Sequence, residues 1–116
     1  MQKVLLVEDD DDFIEVVEIG LRSYCDLIVA TTEAEARVLF REYLGTIDII
    51  VMDACLHTTK PNTQQLTSGF RAQFDGIILA SSRSSYFGQQ IVEAGADRWV
   101  PKHEVLKEVR KLVSAN

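Results

Sequence analysis

The sequence predicts an α/β fold in which one five-stranded parallel sheet carries five helices on its two faces. Two observations carry that prediction. Five short apolar runs alternate with five stretches of helical period along the 116 residues. The runs are continuous rather than alternately apolar and polar, as suits strands covered on both faces. Strand and helix taken in turn imply crossover connections and hence parallel strands.

The strands are expected at 4–7, 27–30, 47–52, 77–80 and 98–100. The first helix follows from Phe13, Val16, Val17, Gly20, Leu21 and Tyr24, spaced as one helical face. Thr32, with Glu35 three residues on, is a capping-box pair. It precedes a second stripe of Ala36, Leu39, Phe40 and Tyr43. Leu66, Phe70 and Phe74 give a weaker third period in a short, polar stretch. Phe87, Ile91 and Ala94 give a fourth, with Gly95 as its C-terminal cap. Val105, Val109, Leu112 and Val113 give the last. Residues 57–67, which contain Lys60-Pro61-Asn62, read as a loop leading into the third helix. No repeat, linker or low-complexity run divides the chain, so a single domain over 1–116 is expected.

Eighteen acidic residues against twelve basic ones give a net charge of -6. That balance weighs against nonspecific nucleic-acid binding, which needs a positive field, and it permits a cation site. Cys25 and Cys55 lack metal-ligand spacing and read as free thiols of a reducing cytosol, Cys25 in the core. The apolar run at 4–7 is too short for a secretory signal or a membrane span. A cytoplasmic protein without membrane contact is the expectation.

Open α/β sheets bind ligands beyond the carboxyl ends of their strands, near the point where the strand order reverses. The first run ends at Glu8-Asp9-Asp10, the third at Asp53 and the fourth at Ser81-Ser82, while Lys102 follows the fifth. Glu8, Asp9 and Asp53 gathered at one edge would repel one another unless a cation lay among them. An all-oxygen donor set suits Mg²⁺, which also takes a phosphate oxygen. A carboxylate beside it can itself be the nucleophile of phosphoryl transfer, forming an aspartyl phosphate. Lys102 offers a point charge and Ser81 a hydroxyl donor for the oxygens of such a transition state, with Ser82 the alternative hydroxyl. Asp10, Asp11 and Asp12 read more simply as acids in the first turn of a helix.

These segments, in this order, resemble the receiver domain of two-component response regulators. Val4-Leu5-Leu6-Val7-Glu8-Asp9-Asp10 looks like its opening and Ile49-Ile50-Val51-Met52-Asp53 like its phosphoacceptor strand. Ile77-Ile78-Leu79-Ala80-Ser81-Ser82 is similar to its fourth strand with the switch hydroxyl. Ala94-Gly95-Ala96-Asp97-Arg98-Trp99-Val100, with Lys102, resembles its fifth strand, the aromatic lying three residues before the lysine. The resemblance implies a flavodoxin-like three-layer sandwich of five βα units. It implies that Asp53 accepts a phosphoryl group from a sensor histidine kinase or phosphotransfer protein. It further implies an Mg²⁺ held by Glu8, Asp9, Asp53 and the backbone carbonyl of Cys55. Ser81 and Trp99 would be the switching residues and Lys102 the partner of the phosphate. The face of fourth helix, fifth strand and fifth helix would then meet an effector or output domain, and is the candidate dimer surface. Such a domain is a signalling switch rather than a metabolic enzyme, catalysing only its own phosphorylation and dephosphorylation.

Four features depart from the family pattern. Pro101 precedes Lys102 and His103 follows it, where a Lys-Pro pair is usual, so that Val100-Pro101 is a candidate cis bond with trans the commoner form. The loop after Asp53 lacks the usual glycine, the third helical stretch is short, and Trp99 is bulkier than the usual aromatic. Trp99 also reads as a half-buried core aromatic, and His57 and His103 as surface residues. Two other classes of function stay open. One is a phosphorylation-independent binding module on the same fold. The other is a small phosphatase with an Asp nucleophile, disfavoured because Cys55 stands where such enzymes usually carry a second acid. No glycine-rich phosphate loop is present, which argues against a nucleotide-binding enzyme.

Overall fold

The computed structural model describes residues 1–114. Its elements follow one another as β1 (Lys3–Val7), α1 (Asp11–Leu21), β2 (Asp26–Ala30), α2 (Glu33–Tyr43), β3 (Ile47–Asp53), α3 (Gln64–Arg71), β4 (Ile77–Ser81), α4 (Ser85–Glu93), β5 (Arg98–Val100) and α5 (Lys102–Ser114). The five strands form one parallel sheet in the order β2-β1-β3-β4-β5. The order reverses at β1, so the crevice beyond β1 and β3 is where a ligand is expected.

Strand side chains alternate between two faces, and two separate cores result. Leu5, Val7, Ile50, Met52, Ile78 and Ala80 join Phe40, Leu66, Phe70, Phe74 and Ile91 from α2 to α4. Phe40 stacks on Phe70 with ring centroids 4.0 Å apart, and Phe74 meets Phe40 edge-on. Val4, Leu6, Ile49, Val51 and Leu79 on the other face join Ile14, Val17, Leu21, Val105 and Val109 from α1 and α5. Burying each such aliphatic or aromatic side chain contributes about 1.5–3 kcal/mol.

The helix ends show why these segments stop where they do. Asp10 caps α1, its carboxylate accepting from the amides of Asp12 and Phe13, and Asp11 and Asp12 fill the first turn. Thr32 Oγ1 caps α2 through the Glu35 amide, but the Glu35 carboxylate reaches Thr31 N at 2.7 Å rather than the Thr32 amide, so the box closes one residue early. α4 ends in a Schellman turn: Gly95 takes a φ of +134, its amide bonds Val92 O, and the Ala96 amide bonds Ile91 O.

One expectation is corrected in part. Of the expected α1 stripe, Val17 and Leu21 are buried and Phe13 packs partly buried against the same core, but Ile14, outside the stripe, is buried as well. Val16 is 56% exposed and Tyr24 lies beyond the helix, exposed. α1 carries apolar residues around much of its girth, and the packing of α5 selects which of them face inward. Val100-Pro101 takes the commoner trans form, as do all described peptide bonds. α3 is indeed short, with Leu66, Thr67 and Phe70 inward. Among the described residues no helix is long and apolar enough to cross a membrane.

Candidate functional site

The carboxyl ends of β1, β3 and β4 bring the acids and hydroxyls together. Glu8 follows β1 and is fully buried. Its amide bonds Ala30 O, continuing the β1–β2 ladder and fixing where its side chain leaves the sheet. Oε2 accepts from the amides of Asp9 and Asp10, each at 3.1 Å, and Oε1 accepts from Lys102 Nζ at 2.8 Å. Asp9 is half-buried, and its Oδ2 accepts from the His57 amide at 2.9 Å. Asp53 closes β3 with 4% of its surface exposed. Its Oδ1 accepts from the Cys55 amide, and its Oδ2 lies 3.6 Å from Lys102 Nζ. One oxygen from each of Glu8, Asp9 and Asp53 lies within 4.8 Å of the others, a spacing that can hold a metal ion. Cys55 lines the same pocket, whose volume is about 280 Å³.

Burial, then the charge and carboxyl contact of Glu8, push Asp53 up to about 8, against the pull of Lys102 and the Cys55 amide. Burial pulls the Lys102 ammonium down. Its hydrogen bond to Glu8 and the charges of Asp53 and Glu8 outweigh that, leaving it above the ordinary lysine value. Its head also lies 5.0 Å from the Phe13 ring centroid. Burial and the charge of Asp53 push the Cys55 thiol up, so it stays protonated near neutrality.

Ser81 pairs with Asp53 across β3 and β4, and Val100 with Ser81 across β4 and β5. Ser81 Oγ is fully buried with no hydrogen-bond partner among the described residues. Ser82 Oγ accepts from the Ser84 amide. That bond uses Ser82 Oγ as an acceptor and leaves its proton to donate, whereas Ser81 Oγ has neither a donor nor an acceptor partner among the described residues. An orphaned hydroxyl, a buried ammonium and three carboxylates around one crevice form a donor set that fits an oxygen-coordinated divalent ion with a phosphoryl group beside it.

Trp99 is half-buried and tethered. Its Nε1 donates to Ser82 O at 2.9 Å. The indole fills the space where a side chain on Gly88 would begin: a Cβ there would lie 2.0 Å from Trp99 Cδ1.

Three residues that sequence reasoning passed over shape the site. Asn62 replaces the missing glycine turn: its Oδ1 accepts from Leu56 N and its Nδ2 donates to Leu56 O, both at 2.8 Å. Thr63 Oγ1 donates to Asp53 O at 2.7 Å, so this hydroxyl holds the end of β3 instead of capping α3. His57, read as a plain surface residue, takes the left-handed conformation with φ +57 and spans from Asp9 to Thr31 O. Only the turn signal of Lys60-Pro61-Asn62 pointed at any of this. His103 is the surface residue expected, and Asp11 and Asp12 are exposed first-turn acids.

No family model and no curated protein sequence matches the chain. Solved structures do. A response regulator receiver domain protein from Clostridium thermocellum has a TM-score of 0.78 at 14% identity, covering 99% of this chain and 93% of that one. The Vibrio cholerae chemotaxis protein CheY4 has a TM-score of 0.78 at 21% identity, covering 99% and 98%. A Burkholderia pseudomallei response regulator, solved with a phosphorylated aspartic acid, a calcium ion and citrate, has a TM-score of 0.78 at 20% identity, covering 99% and 72%. The chain therefore has the receiver-domain fold of response regulators, with an acidic cluster at the strand ends where that fold reverses its order.

Proposed function

We propose that the chain is a phosphoacceptor receiver of a two-component system, taking a phosphoryl group on Asp53 from a histidine kinase or phosphotransfer protein. The observation that supports this best is the grouping around Asp53. Glu8 and Asp9 lie within metal-sharing distance, Lys102 is 3.6 Å away, and the free Ser81 hydroxyl sits on the neighbouring strand. The calcium ion and phosphorylated aspartic acid of the Burkholderia structure belong to the same fold and support it by analogy.

Glu8, Asp9, Asp53 and the Cys55 carbonyl would hold Mg²⁺, which when bound supplies positive charge for the phosphoryl oxygens. Asp53 gives the nucleophilic oxygen. Lys102, turning from Glu8, pairs with the new phosphate, and Ser81 donates its unused hydroxyl to it. Ser81 lies beside Ser82, whose carbonyl anchors Trp99, so its movement reaches β5 and α4 directly. That is a local charge change read by a packed element with two arrangements. The α4-β5-α5 face, with Tyr86 72% exposed, would present the result to an effector, output domain or second copy. The domain turns over no metabolic substrate, and its place is the cytoplasm.

The tether on Trp99 favours one second reading, a receiver-fold module that binds its partner without phosphorylation. Intact mass after incubation with Mg²⁺ and acetyl phosphate separates the two. A single Mg²⁺-dependent phosphoryl adduct, lost in Asp53→Asn, is expected. No adduct on the native chain would favour the constitutive module.

A further inference from the structure

We propose that Glu35, Thr31 and His57 form a line of hydrogen bonds that positions Asp9 for its divalent ion, so that the start of α2 helps to set metal affinity. The inference rests on the reading of Glu8, Asp9 and Asp53 as metal ligands and deepens it. Two observations that have no role so far meet here. The Glu35 carboxylate closes its capping box on Thr31 rather than Thr32, Oε1 accepting from Thr31 N at 2.7 Å. His57 holds a left-handed backbone, φ +57, which a residue with a side chain rarely takes.

The bonds connect end to end. Glu35 fixes Thr31 by its amide, and Thr31 O accepts from His57 Nε2 at 2.8 Å. A carbonyl only accepts, so Nε2 carries a hydrogen and the ring is anchored to the β2–α2 loop. That anchor holds the left-handed turn at 57, and the turn aims the His57 amide at Asp9 Oδ2, 2.9 Å away. Ring Nδ1 stands 3.5 Å from the same oxygen, so the amide makes the closer contact. The residue before Thr31, Ala30, accepts from the Glu8 amide. Both acids after β1 are therefore tied to the end of β2, Glu8 through Ala30 and Asp9 through Thr31 and His57. Buried Glu8 takes two amides and Lys102, whereas the Asp9 carboxylate accepts a hydrogen bond from no group but the His57 amide among the described residues. A carboxylate already held in one orientation binds an ion more tightly than one that must first be ordered, and losing such a partner costs roughly 10–100-fold in affinity.

The test is Mg²⁺ titration by calorimetry of the native chain, His57→Val, His57→Asn, Glu35→Ala and Glu33→Ala, each first shown to be folded by urea unfolding in chelator. Valine strongly disfavours the left-handed turn, and asparagine tolerates it. His57→Val is expected to weaken Mg²⁺ binding roughly tenfold or more, and His57→Asn, which keeps the turn, roughly threefold or less. Glu35→Ala should weaken binding roughly three- to tenfold, although Glu35 is exposed and bonds none of the three acids. Glu33→Ala removes the same charge from the same helical turn, but its carboxylate pairs with Arg37, and affinity should not change. Adding Glu35→Ala to His57→Val should weaken binding little further, since the line is already broken. Native affinity in His57→Val would overturn the proposal. So would equal weakening by Glu35→Ala and Glu33→Ala, which would mark a loss of charge alone, or fully additive losses in the double variant. A native chain that binds no Mg²⁺ would remove the metal reading, and this inference with it.

Discussion

Lys102 Nζ lies 2.8 Å from Glu8 Oε1 but 3.6 Å from Asp53 Oδ2, so the lysine is held by an acid of the candidate metal cluster and not by the proposed acceptor. Glu8 is fully buried, and a buried carboxylate needs a countercharge. A divalent ion among Glu8, Asp9 and Asp53 would supply that charge instead and release the lysine toward Asp53. The latch and the ion therefore compete for one carboxylate.

Lys102→Met tests the latch. In chelator the variant should lose about 3–5 kcal/mol in urea unfolding, the cost of orphaning a buried ion. Saturating Mg²⁺ should recover part of that loss and stabilise the variant more than the native chain. An equal Mg²⁺ increment in both would refute the competition.

The Asp53 carboxyl, pushed up to about 8, makes stability pH-dependent. A group that holds its proton more tightly folded than unfolded stabilises fully below the ordinary carboxylate value. That contribution is lost as pH rises toward 8, at up to about 1.4 kcal/mol per pH unit. In chelator, Asp53→Asn should therefore gain stability relative to the native chain between pH 5 and about 8, the difference then levelling. A difference that does not vary with pH would show that the carboxyl is not perturbed. Mg²⁺ must displace the same proton, so its affinity should rise over the same interval.

Gly88 and Trp99 fit as notch and ring. In Gly88→Ala the new Cβ would fall 2.0 Å from Trp99 Cδ1, so the indole must leave and give up its bond to Ser82 O. The expected loss is about 1–3 kcal/mol, with a red shift in the emission of this single tryptophan. Trp99→Ala should remove most of the penalty of Gly88→Ala, a coupling that a double-mutant cycle measures. Additive losses would mean the two residues are not matched.

Asn62 closes the loop that follows Asp53. Asn62→Ala should cost about 1–3 kcal/mol by leaving the part-buried amide and carbonyl of Leu56 unpaired. Asn62→Asp keeps the acceptor for Leu56 N but loses the donor to Leu56 O, and so should not restore stability. Urea midpoints check both, and an unchanged midpoint in Asn62→Ala would show that the loop holds its shape without the amide.

The strands and the cluster were legible because each apolar run stops at the residue that carries chemistry: Val7 before Glu8, Met52 before Asp53, Ala80 before Ser81. A parallel sheet places those ends together whatever its details. The inward face of α1 was legible only in part: Val17 and Leu21 lay on the expected stripe, but Val16 faces solvent and Ile14 takes a place in the core, a choice made by packing against the sheet and α5. His57, Asn62 and Thr63 were missed because they act on backbone groups across a loop, where periodicity carries no signal. The Lys102–Glu8 pair escaped for a related reason: both residues were placed at the site, but which acid takes the ammonium depends on distances that spacing does not encode.

The central claim is that Asp53 carries the phosphoryl group, and reductive trapping locates it most directly. An acyl phosphate is reduced by borohydride to an alcohol, which marks the acceptor permanently. After incubation with Mg²⁺ and acetyl phosphate, borohydride treatment and peptide mapping should find homoserine at position 53 alone, and none when Mg²⁺ is chelated. Homoserine at Asp9 or elsewhere, or an unmodified chain under conditions that label a known receiver, would contradict the assignment.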